Sequence, residues 1–142
     1  MDSTDKIDRI CYEILERSLK VEIVASIDNV DELYLLLDHY NWDDGFEIPT
    51  AIANHPLCEL AIAIRLYWLA EADYWFDTEV EPDVYNQDHF DFSKLISDRL
   101  IDNHYKPGEL SHDEGFGRVA VHKFKTSGFP EILYQPVVGR YA

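Results

Sequence analysis

Residues 57–70, LCELAIAIRLYWLA, are the main indicator of the fold of this 142-residue chain. Apolar side chains occupy almost every position of this stretch, and Arg65 is its one basic residue. A surface helix has a single apolar face, whereas a helix that is apolar all round is covered by its neighbours. The sequence therefore predicts a central helix over roughly residues 57–75, with the other helices packed around it.

Three helices are predicted before this central helix. Residues 4–24 carry apolar side chains at the i, i+3, i+4, i+7 spacing of an amphipathic helix. Asn29 and Glu32 have the spacing of a capping box, which predicts a second helix from Asn29 to about residue 40. Pro49 suits the first turn of a short third helix over residues 49–53.

The chain after the central helix is predicted to be less regular. Residues 76–91 are acidic and contain Pro82, which indicates a loop, and Ser93 is expected to cap a helix that ends near residue 104. Glycine and proline interrupt residues 107–142, where apolar residues predict either short strands of a small β-hairpin or extended packing segments. These segments are Val119, Val121 and Phe124, then Ile132–Tyr134, then Val137–Val138. The expected fold class is mainly α, with residues 1–142 forming a single-domain packed bundle of about five helices.

The negative charge is concentrated in one block. Of the 28 acidic and 12 basic residues, residues 21–93 hold 17 acidic residues but only Arg65 as a basic one, which accounts for the net charge of −16. Such a field speeds encounter with a cationic partner and repels nucleic acid, so direct nucleic-acid binding is not expected. The alternative explanation is that the block only keeps the protein soluble.

Features of export or membrane insertion are missing from the sequence. No run of 18 apolar residues exists, and the N-terminus lacks the basic-then-apolar pattern of a signal peptide. Cys11 and Cys58 lie among apolar residues, so buried free thiols in a reducing cytoplasm are expected, with a disulfide as the alternative. We therefore expect a cytoplasmic protein without membrane association.

The most distinctive short motif is YNWDDG, residues 40–45. One interpretation is a turn in which the carboxylates bind nearby backbone N–H groups, the glycine adopts a positive φ and Trp42 anchors the turn in the core. The functional interpretation places Asp43 and Asp44 on a partner-facing surface beside an aromatic anchor.

A second acidic run follows the central helix and is the preferred contact surface. No lysine or arginine lies between Arg65 and Lys94, and aromatic residues are interleaved with the carboxylates. The run is either a solvated loop whose aromatic residues pack inward, or a surface that mimics phosphate spacing and fills a basic cleft. The predicted partner-binding residues are the charge partners Asp77, Glu79, Glu81, Asp83, Asp88 and Asp91, the anchors Tyr85 and Phe90, and, as second choice, Asp43 and Asp44.

Signatures of catalysis and of metal binding are also missing. The chain has no nucleophile elbow, phosphate-binding loop or nucleotide-binding glycine pattern, and its acidic run lacks the residue order of a calcium loop. The six histidines do not form a zinc-binding pattern. We predict no catalytic residue, no metal and no cofactor; an enzyme or metal protein is the least favoured alternative.

Residues 40–49, YNWDDGFEIP, resemble a bacterial domain-of-unknown-function family built on an Asn-Trp-Asp-Asp-Gly core. The resemblance covers roughly residues 28–75 and continues through Ile52, Asn54, Pro56, Cys58 and a helix that ends in YWLA at residues 67–70. It implies a small helical domain without catalytic residues. It also implies an association with polymorphic toxins and contact-dependent growth inhibition, in which small acidic proteins act as immunity partners.

These observations together predict a monomeric immunity protein that binds one cognate basic toxin domain, with a nuclease as the expected class. Its acidic surface would occlude the active site or the nucleic-acid groove of the toxin without any chemistry. The alternative is a helical adaptor that binds a basic peptide or protein. An adaptor would bind many basic peptides, whereas an immunity protein would bind one partner.

Overall fold

The computed structural model describes residues 21–140, and this part of the chain is mainly helical. Its six α-helices are α1 (Val21–Ala25), α2 (Val30–His39), α3 (Glu47–Ala53), α4 (Leu60–Leu69), α5 (Gln87–Ile101) and α6 (Arg118–Thr126). Three short 3-10 helices cover Trp42–Asp44, Ala72–Trp75 and Glu131–Leu133. The predicted fold class is confirmed. Cys11 and most of the helix predicted over residues 4–24 lie outside the described residues.

The chain divides into two compact units between Cys58 and Glu59. Helices α1 to α3 belong to the first unit, and α4 to α6 belong to the second. That residues 1–142 fold as a single domain stays a prediction. No helix within residues 21–140 has the length and apolar character needed to cross a lipid bilayer.

The core of the first unit is built on α2. Asn29 has an extended backbone, and its side-chain oxygen accepts a hydrogen bond from the Glu32 N–H at 2.9 Å, so the predicted N-cap is confirmed. Four apolar side chains then follow helical spacing and are buried, and α3 adds further buried residues to the same unit: Val30, Leu33, Leu36, Leu37, Ile48 and Ile52. Full burial of each large aliphatic side chain contributes about 1.5–3 kcal/mol.

A buried histidine closes the end of the first unit. The Leu57 N–H donates to Nδ1 of His55 at 3.0 Å, so the ring hydrogen must lie on Nε2, which donates to the Ile27 carbonyl at 2.9 Å. Both nitrogens of this 8 % exposed ring are thereby satisfied. Cys58, the last residue of this unit, is half-buried.

Helix α4 is the buried helix of the second unit, as predicted. Residues Leu60 to Ile64, together with Leu66 and Tyr67, are all buried, and α4 packs against α5 and the 3-10 helix Ala72–Trp75. The helix is shorter than the predicted span of 57–75. It ends at Leu69 because Glu71 adopts a left-handed conformation with φ 56°, after which the chain continues as the 3-10 helix.

Helix α5 begins earlier than predicted, at Gln87. Ser93 is not a helix cap but a buried residue within α5, on the side of Ile96 and Leu100. The turn that precedes the helix is built by Asp83 and Asn86 instead. As a consequence Asp88, Phe90 and Asp91 lie on a helix, whereas the sequence predicted a loop through residue 91.

The C-terminal third contains a helix where short strands were one of the two predictions. Val119, Val121 and Phe124 lie in α6, and Ile132 and Leu133 lie in a 3-10 helix. Residues 107–140 contain no strand; Val137 and His112 form one isolated antiparallel bridge with N···O distances of 2.8 and 2.9 Å. The hairpin is therefore not supported; Val121 and Phe124 lie three residues apart on one side of α6, whereas Val119 is 71 % exposed.

An aromatic cluster fixes this third of the chain to α4. The Trp68 ring lies 4.8 Å from Phe116 and 5.9 Å from both Phe124 and Phe129, measured between ring centroids. Its indole N–H donates to the Leu133 carbonyl at 2.6 Å. Ring packing thus replaces sheet hydrogen bonds as the organising interaction of residues 116–134.

Candidate functional site

The candidate partner-binding surface is the acidic segment, defined here as residues 71–91 in the second unit. It joins α4 to the first turns of α5 through the 3-10 helix Ala72–Trp75. It contains no lysine or arginine, and all its acidic residues are exposed: Glu71, Asp73, Asp77, Glu79, Glu81, Asp83, Asp88 and Asp91. The structure therefore places the six predicted charge partners together at the surface of one unit.

Apolar side chains are exposed among these carboxylates. Tyr85 is 94 % exposed, Val84 is 84 % exposed and Val80 is 70 % exposed. Exposed aromatic and aliphatic groups within a charged surface are typical of protein interfaces. The two predicted anchors differ: Tyr85 extends into solvent, whereas Phe90 is half-buried with its ring 5.1 Å from the Trp75 ring.

A hydrogen-bonded turn holds Tyr85 at the surface. One carboxylate oxygen of Asp83 accepts from the Tyr85 N–H at 2.8 Å and from the Asn86 N–H at 3.2 Å. The Asn86 side chain accepts in return from the Asp83 N–H at 2.7 Å. Side-chain oxygens that bind nearby backbone N–H groups order such turns, so this part of the segment has a defined conformation. Asp83 thus has a structural role in addition to its exposed charge.

Crowding of carboxylates affects protonation in the segment. Partial desolvation raises the pKa of Asp73, and the neighbouring Glu71 charge raises it further, while a backbone hydrogen bond and His89 oppose the rise. A cation that binds nearby would lower the electrostatic free energy of these like charges. The surface is therefore suited to a basic partner.

A cavity of about 330 Å³ borders the acidic segment. Its walls are mainly aromatic and aliphatic side chains from the 3-10 helix, α4, α5 and the C-terminal third: Tyr67, Ala72, Trp75, Phe76, Phe90, Ile101, Pro130 and Leu133. Its polar lining residues are Asp77, Ser93, Lys94, Ser97 and Asp98. Lys94 and Asp98 form an exposed ion pair at 3.1 Å. Sequence reasoning missed this cavity, since its walls come from segments far apart in the chain.

His89 fixes one wall of the cavity. The Trp75 indole N–H donates to Nδ1 of His89 at 3.1 Å, so the hydrogen on Nε2 donates to the Ala70 carbonyl at 2.7 Å. The imidazole thus joins Trp75 to the chain that follows α4. The wall is held in place before any ligand binds.

The motif turn, defined as residues 40–46, belongs to the first unit and has a different construction. Asn41, rather than an aspartate, supplies the side-chain acceptor, because its oxygen binds the Asp43 N–H at 3.0 Å. The Tyr40 hydroxyl donates to the Gly45 carbonyl at 2.7 Å, and Gly45 has φ 96°. Asp43 and Asp44 are exposed. The turn interpretation is supported for Gly45, while the carboxylates do not serve as the predicted backbone acceptor.

Aromatic rings complete the motif turn. The half-buried Trp42 ring lies 5.5 Å from Tyr40 and 6.1 Å from Phe46, both in edge-to-face geometry. Burial raises the pKa of Tyr40 to about 12, and the charges of Asp44 and Glu47 contribute to the rise. The motif is thus a locally packed turn in which the tyrosine stays neutral.

A basic surface also exists in the second unit. A cavity of about 340 Å³ beside α6 is lined by Phe116, Arg118, Val121, His122 and Lys125. The sequence did not lead us to predict a basic surface here, although the spacing of Arg118, His122 and Lys125 places them on one helix face. Within residues 21–140, no group of three or more histidine, cysteine, aspartate or glutamate side chains is arranged to hold a metal ion.

Comparison with known proteins assigns a family to the chain. Neither the curated proteins nor the solved structures include a match to it. A family model described as a domain of unknown function (DUF4274) matches residues 28–101, which is more than half of the chain. The match extends beyond the motif turn and includes the acidic segment and α5. The protein is therefore a member of the DUF4274 family.

Proposed function

We propose that this protein is an immunity protein that binds and neutralises a cognate basic toxin domain in the cytoplasm. The observation that carries the proposal is the acidic segment, which has eight exposed carboxylates, no basic residue and three strongly exposed apolar side chains. Carboxylates attract a cationic surface from a distance, and apolar groups such as Tyr85 slow dissociation once contact is made. Both properties are required of a stoichiometric inhibitor.

A nuclease is the toxin class that this surface fits best. A nuclease binds the phosphates of its substrate through lysine and arginine side chains, which also pair with carboxylates. A protein that presents Asp77, Glu79 and Glu81 from one exposed loop would occupy the same basic groove. Inhibition would then require binding alone, so the proposed protein needs no catalytic residue.

The proposal is tested by a binding titration with the C-terminal domain encoded immediately upstream, purified as an inactive variant. We expect a one-to-one complex whose Kd rises about tenfold or more between 50 and 200 mM salt, because screening weakens the long-range attraction. A nuclease assay with the active domain supplies the second readout, and we expect stoichiometric inhibition.

Two outcomes would contradict the proposal. Absence of binding at low salt would remove it, and the charged block would then be explained by solubility. Comparable affinity for many unrelated basic peptides would indicate the helical adaptor instead. A set of lysine-rich and arginine-rich peptides of matched length is therefore the control for the upstream domain.

A further inference from the structure

One of the residues that line the cavity beside the acidic segment carries an unsatisfied polar group. Ser93 lines this cavity, is 1 % exposed, and its hydroxyl has no hydrogen-bond partner within the part of the chain that the structure describes. A buried hydroxyl without a partner lowers the stability of the folded state, so such groups are rare in folded proteins. A ligand that enters the cavity with a hydrogen-bonding atom would remove this cost.

The lining of the cavity limits what that ligand can be. Aromatic rings of Trp75, Phe76 and Phe90 contribute to the walls, which favours an apolar or aromatic body. The volume of about 330 Å³ lies at the small end of ligand pockets, so a single aromatic group fits better than a larger molecule. A purely apolar group would leave the Ser93 hydroxyl unsatisfied.

A buried cation is a poor occupant. A guanidinium has five N–H donors, and Ser93 offers a single hydroxyl, so most of those donors would stay unsatisfied away from water. The two lining carboxylates do not change this comparison, since Asp98 is exposed and already paired with Lys94, and Asp77 is exposed to water rather than buried beside Ser93. A phenol matches the site better, because its ring is apolar and its hydroxyl can donate to or accept from Ser93.

We propose that this cavity receives the phenol ring of a tyrosine from the protein partner, with the tyrosine hydroxyl bound to Ser93. That the phenol comes from the protein partner rests on the proposed function. That the cavity binds a phenol rests on the residues of the cavity alone. Asp77 belongs both to the cavity lining and to the acidic segment, so a basic surface held by that segment would lie next to the cavity. Tyrosine is also among the side chains that most often dominate binding energy at interfaces.

The chemistry is tested on the full chain with two probes, p-cresol and toluene, which differ only in the phenol hydroxyl. Binding is followed through the indole N–H resonance of Trp75, a cavity residue. We expect p-cresol to shift this resonance and to bind about three- to tenfold more tightly than toluene, as one net hydrogen bond allows. Ser93→Ala should abolish this preference without lowering the urea midpoint, since it removes an unsatisfied hydroxyl.

Ser97→Ala is the matched control, because Ser97 lines the same cavity on the same helix. It should keep the preference for p-cresol. Loss of the preference in Ser97→Ala rather than Ser93→Ala, equal binding of both probes, or no binding of either would overturn the assignment to Ser93. A fall of the urea midpoint in Ser93→Ala would show that the hydroxyl already has a structural partner.

The source of the phenol is tested by competition. Saturation with the upstream-encoded domain should displace p-cresol from the cavity and return the Trp75 resonance to a position set by the complex. Continued binding of p-cresol in the complex would overturn the tyrosine assignment and leave the proposed function intact. If the domain does not bind at all, the proposed function fails, and the probe experiment still decides the chemistry of the cavity.

Discussion

The motif turn and the acidic segment have similar compositions but differ in how far their aromatic residues are packed. Both combine carboxylates with aromatic residues. In the motif turn, Trp42 contacts two neighbouring rings and Tyr40 binds the backbone of Gly45. In the acidic segment, Tyr85 and Val84 extend into solvent.

The difference shows that composition alone does not separate a structural turn from a binding surface. What separates them is the exposure of individual rings: Phe90 of the acidic segment packs against Trp75, but Tyr85 does not, whereas each ring of the motif turn has a neighbouring ring. We therefore expect substitutions in the motif turn to change stability. Tyr85 is almost fully exposed, so we expect its substitution to change binding.

The largest expected effect comes from removing the central ring of the motif turn. Trp42→Ala should lower the free energy of unfolding by about 3 kcal/mol, at the low end of the range for buried tryptophan because Trp42 is half-buried. Urea denaturation followed by circular dichroism measures this change. Tyr85→Ala is the matched variant in the acidic segment and should stay within about 0.5 kcal/mol of the wild type. Equal destabilisation by both variants would remove the contrast between the two regions.

Charge reversal of the acidic segment is expected to act on binding instead of stability. Replacing Asp77, Glu79, Glu81 and Asp88 by lysine should slow association with the upstream-encoded domain about 10- to 100-fold at low salt, with a smaller change at high salt. Asp83 is left in place because its carboxylate orders the turn at Tyr85. Stopped-flow fluorescence measures this rate. Asp43→Lys with Asp44→Lys should have a smaller effect, since these residues are the second choice for contact.

The control for charge reversal changes the same number of charges elsewhere. Glu22, Asp28, Asp102 and Glu131 are also exposed, and lysine at these four positions gives the same net charge as the first variant. If both quadruple variants slow association equally, net charge is responsible and the acidic segment has no special role. Circular dichroism of each variant checks that the fold is retained.

Sequence patterns predicted the parts of this fold that depend on local and periodic signals. The Asn29 cap and the buried helix α4 follow directly from such signals, and both are present. The predicted start of α5 at Ser93 was wrong. Serine is a residue type that often caps helices, but Ser93 lies on the apolar face of this helix. The rule for caps takes no account of burial.

The candidate site was only partly predictable, because part of it depends on tertiary packing. The exposure of the charge partners follows from the excess of carboxylates over basic residues. The cavity could not be predicted, since Trp75, Ser93 and Leu133 meet only through tertiary packing. Ser93 did carry a signal, because it has helical spacing with the apolar residues Ile96 and Leu100 and would lie on their side of the helix once the helix includes it.

A glycine substitution tests the backbone conformation of the motif turn. Gly45 has φ 96°, and a Cβ built there has no other atom within 4 Å, so Gly45→Ala would add backbone strain without a clash. We expect a loss of about 1–2 kcal/mol in the free energy of unfolding. Gly117→Ala is the matched control, since Gly117 also has open space for a Cβ but a φ of −76°. A smaller loss in Gly45→Ala than in Gly117→Ala would contradict the strained-turn description.

The smallest expected effect is a change in the free energy of unfolding that appears only at high pH and depends on Tyr40. Its pKa rises from 10.0 to about 12 on folding, first because of burial and then because of Asp44 and Glu47. The folded state therefore holds the phenolic proton more tightly than the unfolded state. The contribution of this tyrosine to the free energy of unfolding is fully present below pH 10 and is lost as the pH rises toward about 12.

Urea denaturation between pH 9 and pH 11.5 tests this dependence through the slope of stability against pH. Tyr40→Phe should make the slope shallower than in the wild type, because the phenol whose pKa rises on folding is removed. Part of the slope should persist in Tyr40→Phe, since burial also raises the pKa of Tyr67, with a further rise from Asp73. Asp44→Asn should make the loss attributed to Tyr40 smaller and complete it at a lower pH, because the substitution lowers the folded-state pKa of Tyr40 and leaves its unfolded-state pKa unchanged. An unchanged slope in Tyr40→Phe would mean that folding does not raise the pKa of Tyr40, and the description of its packed environment would not hold.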